Sequence, residues 1–220
     1  MKKSYKNFFD IAESHLSCSA HHLDHVERVF KNAVLLASYF ENVDEDILYP
    51  AVILHDIARV LESEDKTGKT DHAILGGEMA KKIVADMGYS KEDQEKIAHC
   101  IYAHRFRTGI KAETIEAMIL HDADKLDVLG AIGVARVFMI SGKYGQRLKI
   151  DKLKNENVSE NGRIRDLAKH NPLIEYKYKM KKIPDKMYLD ISRKIGQEKF
   201  NFTKLFFETL EMEMEECIDE

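Results

Sequence analysis

Apolar residues recur along most of this chain at spacings of three and four, the repeat of a helix that buries one face. Phe8, Phe9, Ile11, Ala12 and Leu16 form a partial stripe near the start. From 24 to 40 the stripe is fuller, with Val26, Val29, Phe30, Ala33, Leu36, Ala37 and Phe40. Residues 46–62 are more continuously apolar and read as one buried helix, with Asp44 placed to cap its start. A further helix runs from His72 to Met87 and stops at Gly88, and another starts at Ser90, where Asp93 completes a capping-box-like pair. Residues 113–140 are helical in pattern, as one element or as two joined near Gly130 or Gly133. The stretch from Gly142 to Gly162 is polar and reads as a lid or loosely ordered excursion. After Pro184, residues 185–217 read as one long amphipathic helix. Nothing alternates strand with helix, so the pattern predicts an all-α, single-domain helical bundle.

Composition agrees with that reading. Only 3 prolines and 11 glycines interrupt 220 residues, a length that suits one well-buried core. The pattern divides into an N-terminal segment (1–20), a helical core (21–140) and a C-terminal extension (141–220). The Phe and Tyr residues beyond 170 suit a pocket lining, the core or a homodimer face. A net charge of -4 with scattered Lys and Arg offers no broad basic face, so no nucleic-acid polymer is expected as partner. A small anionic substrate remains compatible, because charge inside a pocket matters more than the total. The 3 cysteines, Cys18, Cys100 and Cys217, lie far apart without paired metal-binding spacing, which fits a reduced, cytoplasmic setting. Neither a signal peptide nor a bilayer-spanning run is evident.

One stretch breaks the pattern. Ala51-Val52-Ile53-Leu54-His55-Asp56-Ile57-Ala58 carries an imidazole and a carboxylate inside an apolar run. Burying either group without a partner costs several kcal/mol, and a cation bound by both removes that cost. Further imidazoles and carboxylates lie at helix ends or beside apolar residues: His25, His72, His104, and the run His121-Asp122-Ala123-Asp124-Lys125-Leu126-Asp127. With 10 histidines in the chain, no single one is decisive, and a lone His is more often a surface or hydrogen-bonded core imidazole. In the last run Asp124 and Asp127 share a helix face. Asp122 points about 200° from Asp124 at ~100° per residue, and reads as a surface carboxylate.

The order His25, then His55-Asp56, then Ala123-Asp124-Lys125-Leu126 resembles the HD superfamily of metal-dependent phosphohydrolases over roughly residues 20–140. The resemblance implies an HD-type bundle in which His25, His55, Asp56 and Asp124 hold a divalent ion. Mn, Mg, Fe, Co and Ni all suit such ligands, with one ion ahead of two. The strings Asp71-His72-Ala73-Ile74-Leu75-Gly76-Gly77 and His104-Arg105-Phe106-Arg107 resemble the bacterial branch that includes nucleoside triphosphate pyrophosphohydrolases. Hydrolysis of a small phosphorylated substrate, a nucleotide first, is therefore expected. Asp127, His72 or His104 would carry the proton, and Arg28, Arg105, Arg107 and Lys125 would meet phosphate oxygens. His72 and His104 are also where a second ion would bind. Some nucleotidase branches carry a Glu three residues after the His-Asp pair. Arg59 stands there in this chain, so that general acid or base is not carried over. The competing expectation is a metal- and nucleotide-binding sensor without catalysis.

Overall fold

The computed structural model describes residues 5–16, 23–105, 109–148 and 170–216. All regular structure among them is helical, and none of their helices is long and apolar enough to cross a membrane. Two compact units emerge, Met1–Asp124 and Lys125–Glu220.

The first unit contains α1 (Lys6–His15), α2 (Leu23–Ala37), α3 (Glu45–Leu54), α4 (Arg59–Glu64), α5 (His72–Asp86), α6 (Lys91–Ala103) and most of α7 (Ile115–Leu126). α3 is its centre. Every residue from Ile47 to Leu54 is buried, and the helix packs on α1, α2, α5 and α6. Its start is fixed as the sequence predicts: Asp44 accepts a hydrogen bond from the Asp46 amide at 3.0 Å. Ser90 Oγ accepts from the Asp93 amide at 3.1 Å at the start of α6. Gly88, with φ +82°, ends the turn after α5 in the left-handed conformation that favours glycine. α5 and α6 approach closely at Gly77, where any Cβ would run into the Tyr102 ring.

The expected single helix over 46–62 is broken. α3 stops at Leu54, four residues follow in turns, and α4 begins at Arg59. The interruption coincides with His55 and Asp56. Here the Ile57 amide bonds the Leu54 carbonyl and the Arg59 amide bonds the Asp56 carbonyl, both over three residues. Hydrophobic periodicity continues through this turn because Ile57 and Ala58 remain buried, which hides the break from a pattern reading.

In the second unit, α8 (Gly130–Lys143) follows α7 after a break at Gly130, whose φ is +74° and whose amide donates to Thr203 Oγ1 at 2.8 Å. The expected lid falls largely outside the described residues. A short helix that the pattern reading did not anticipate, α9 (Pro172–Tyr178), starts with the Asn171 side chain accepting from the Ile174 amide at 2.9 Å. Two short 3-10 turns, Met180–Lys182 and Pro184–Lys186, separate it from α10 (Asp190–Glu216). The long C-terminal helix therefore begins at Asp190, because the residues after Pro184 close a 3-10 turn first. Aromatic residues beyond 170 build the core of this unit: Tyr176 and Phe207 are fully buried and stacked at 4.5 Å.

Candidate metal centre

Four imidazoles surround one carboxylate in the first unit, each delivered by the end of a helix. His25 lies in the first turn of α2, His55 caps the end of α3, His72 opens α5 and His104 caps the end of α6. All four, and Asp56, are at most 3 % exposed. The two oxygens of Asp56 face different imidazoles. Oδ2 lies 3.7 Å from the Nε2 atoms of both His25 and His55, while Oδ1 lies 3.5 Å from His72 Nε2 and 3.7 Å from His104 Nε2. Asp124 Oδ1 lies 3.4 Å from His25 Nε2.

Local hydrogen bonds fix what these atoms are. His55 Nδ1 lies 2.7 Å from the Val52 carbonyl and His104 Nδ1 lies 2.5 Å from the Ile101 carbonyl. A carbonyl only accepts, so in each ring Nδ1 carries a proton, and the neutral His55 ring turns an Nε2 lone pair toward Asp56. His55 Nε2 is buried with no hydrogen-bond partner. Lone pairs aimed at a carboxylate repel it, and a cation between them converts that repulsion into ligation. Ligands on one ion with bonds of about 2.1 Å lie within about 4.2 Å of each other, and the spacings from Asp56 to the four imidazoles fit that limit. The ligand atoms of His25, His55 and Asp56 lie within 4.8 Å of one another, as do those of Asp56, His72 and His104.

Electrostatics favour the forms of His55, His72 and Asp56 that could bind a metal. Burial pushes the His55 imidazole down to about 4 against the pull of Asp56. Burial, helped by Arg59, pushes His72 down to about 4 as well. Burial alone would raise the Asp56 carboxyl, but the Arg59 guanidinium holds it well below the usual carboxylate range.

Residues 23–129, which include all of these candidate ligands, match the family model of the HD domain. That stretch is an HD domain. A relative, the uncharacterized protein YpgQ of Bacillus subtilis, is 28% identical over 200 residues, covering 89% of this chain and 85% of YpgQ. The crystal structure of B. subtilis YpgQ in complex with ADP superposes with a TM-score of 0.70 at 24% identity, covering 96% of this chain and 97% of that one. A structure described as an HD-superfamily hydrolase from Bacillus thuringiensis gives 0.68 at 22% identity, covering 96% of each chain. Both likenesses establish the fold.

Within the HD domain the remaining expected residues have other partners as well. Arg105 bonds Glu62 Oε1 at 2.9 Å and Asp71 Oδ2 at 2.5 Å. Arg28 pairs with Asp24 at 2.6 Å along α2, the helix that carries His25. Arg107 lies outside the described residues. In the second unit, Lys125 is buried and the Asp127 carboxylate pairs with Arg136 at 2.7 Å. Asp122 is no surface carboxylate. It is fully buried beside His121 Nδ1 at 2.9 Å, because α7 buries the face opposite Asp124 too. His170 is buried against Glu175 Oε2 at 3.0 Å.

Glu62 went unnoticed in the sequence. Its Oε2 receives His72 Nδ1 at 2.8 Å and Arg59 Nη1 at 3.0 Å. Its signal was faint: a Glu one helical turn after Arg59 on a helix too short to show periodicity.

Proposed function

We propose that this HD-domain protein is a metal-dependent phosphohydrolase that cleaves a phosphate ester or anhydride of a small substrate, a nucleotide first. The observation that carries the proposal is the gathering of four buried imidazoles around both oxygens of Asp56, with the neutral His55 ring turning a lone pair toward that carboxylate, an arrangement that is repulsive without a cation. In this reading His25, His55, Asp56 and Asp124 hold one ion. Asp56, His72 and His104 hold a second, so that Asp56 serves both. Ions held by such a mixed nitrogen and oxygen set supply Lewis acidity toward a phosphoryl oxygen and lower the pKa of water.

The chain's own residues do the rest. The neutral His55 and His72 imidazoles and the ionised Asp56 are in ligating form without first losing a proton at neutral pH. Arg28, one turn after His25, offers a guanidinium to phosphate oxygens once it releases Asp24. Nucleotide preference is supported by the relative whose crystal structure contains ADP.

The test is a panel of nucleoside mono-, di- and triphosphates with Mn, Mg, Co, Fe or Ni, read as phosphate or pyrophosphate release. Metal-stimulated release that is lost in Asp56→Asn is the expected result. No turnover with any metal, with metal content unchanged in Asp56→Asn, overturns the proposal. A sensor without catalysis is the second reading, favoured by Arg59, whose Nε lies 3.7 Å from Asp56 Oδ2 at a position where some nucleotidases have Glu. Calorimetric nucleotide binding without product would select it.

A further inference from the structure

Three of the polar atoms around His72 cannot all be satisfied at once. His72 Nδ1 lies 2.8 Å from Glu62 Oε2 and 3.0 Å from Arg59 Nη1, and these two lie 3.0 Å from each other. A carboxylate only accepts, a guanidinium only donates, and a neutral imidazole nitrogen does one or the other. With a proton on Nδ1, His72 bonds Glu62 and its N–H opposes that of Arg59. With a lone pair on Nδ1, His72 bonds Arg59 and opposes the carboxylate.

The choice reaches across the ring. In the first state Nε2 turns a lone pair toward Asp56 Oδ1, 3.5 Å away, and can ligate. In the second state Nε2 carries the proton, donates it to Asp56 and cannot ligate. Two features favour the first. The contact to Glu62 is the shorter and involves a full charge. Arg59 and Arg105 also both donate to Glu62, Arg105 at 2.9 Å on the other oxygen, which keeps that carboxylate ionised and oriented.

Helix position explains why a side chain is needed here at all. His55 and His104 end their helices, so each finds a carbonyl three residues back, at Val52 and Ile101. His72 opens α5 and has no preceding helical turn to supply one. We infer that Glu62 is the positioning residue that stands in for this missing carbonyl, holding His72 in its ligating tautomer, with Arg59 as a competitor for the same nitrogen. The inference that this matters for a second ion rests on the proposed function; the tautomer itself does not.

The test is nitrogen-15 NMR of histidine-labelled, metal-free protein at pH 8, which reads which ring nitrogen of His72 carries the proton, paired with manganese counting by titration. Wild type is expected to show the proton on Nδ1. Glu62→Ala and the bulkier Glu62→Met are expected to move it to Nε2 and to lower the manganese count from two to one, with helix content unchanged by circular dichroism. Arg59→Met is expected to leave the proton on Nδ1. A wild-type proton on Nε2, or one that stays on Nδ1 in both Glu62 variants, overturns the inference. A count of one in wild type with the tautomer moving as expected overturns the two-ion reading and leaves the role of Glu62 supported.

Discussion

Acidifying the metal-free chain should destabilise it well above the pH at which ordinary carboxylates titrate. The perturbation acts on His55 and His72, both held near 4 against an ordinary value of 6.5. Between those values the unfolded chain binds a proton that the folded chain refuses, so the contribution is fully present above pH 6.5 and is lost as pH falls toward 4. At about 1.4 kcal/mol per unit, a displacement from 6.5 to about 4 is worth roughly 3 kcal/mol for one imidazole. That is a large share of the 5–15 kcal/mol by which domains are usually stable. Urea unfolding in chelator at pH 8, 6.5, 5.5 and 4.5, followed by circular dichroism, gives the curve directly. A midpoint that is flat from 6.5 to 5 would refute the claim that these rings are buried and neutral. In the metal-loaded protein the acid loss should be larger, because protonating a ligating ring of the folded chain also releases the ion and its contribution to stability.

Two substitutions check the scaffold that presents the ligands. Gly77→Ala should cost about 1–3 kcal/mol, because the added methyl meets the Tyr102 ring where α5 packs on α6; an unchanged urea midpoint would show that the helices can part there. Asp44→Ala should cost about 1 kcal/mol through loss of the cap at the start of α3, and a change within a few tenths of zero would assign that end of the helix to packing alone.

How much of this was legible in the sequence follows from what each signal depends on. Helix starts were readable where one side chain satisfies one amide, as at Asp44 and Ser90, because that chemistry is local. His55 and Asp56 stood out because polar groups in an apolar run need a partner. The helix break around them was not readable, since Ile57 and Ala58 keep the apolar pattern going through the turn. Asp122 was misread because periodicity ranks the faces of a helix against one another without saying how many are covered. Glu62 was missed because its partners, His72 and Arg105, are 10 and 43 residues away in the chain. The tautomers of His55 and His104 depend on backbone carbonyls, which every residue has and no sequence distinguishes.

The helix ends that carry the ligands bring charge of their own. A helix carries roughly half a positive charge at its N-terminus and half a negative charge at its C-terminus. His55 and His104 sit at C-termini, and His25 and His72 at N-termini. A cation arriving alone around Asp56 meets two favourable dipole ends and two unfavourable ones. A cation arriving with a phosphate finds a favourable use for all four, the C-termini for the ion and the N-termini for the anion. Under the proposed function, these helix ends suit a metal–phosphate pair better than either charge alone.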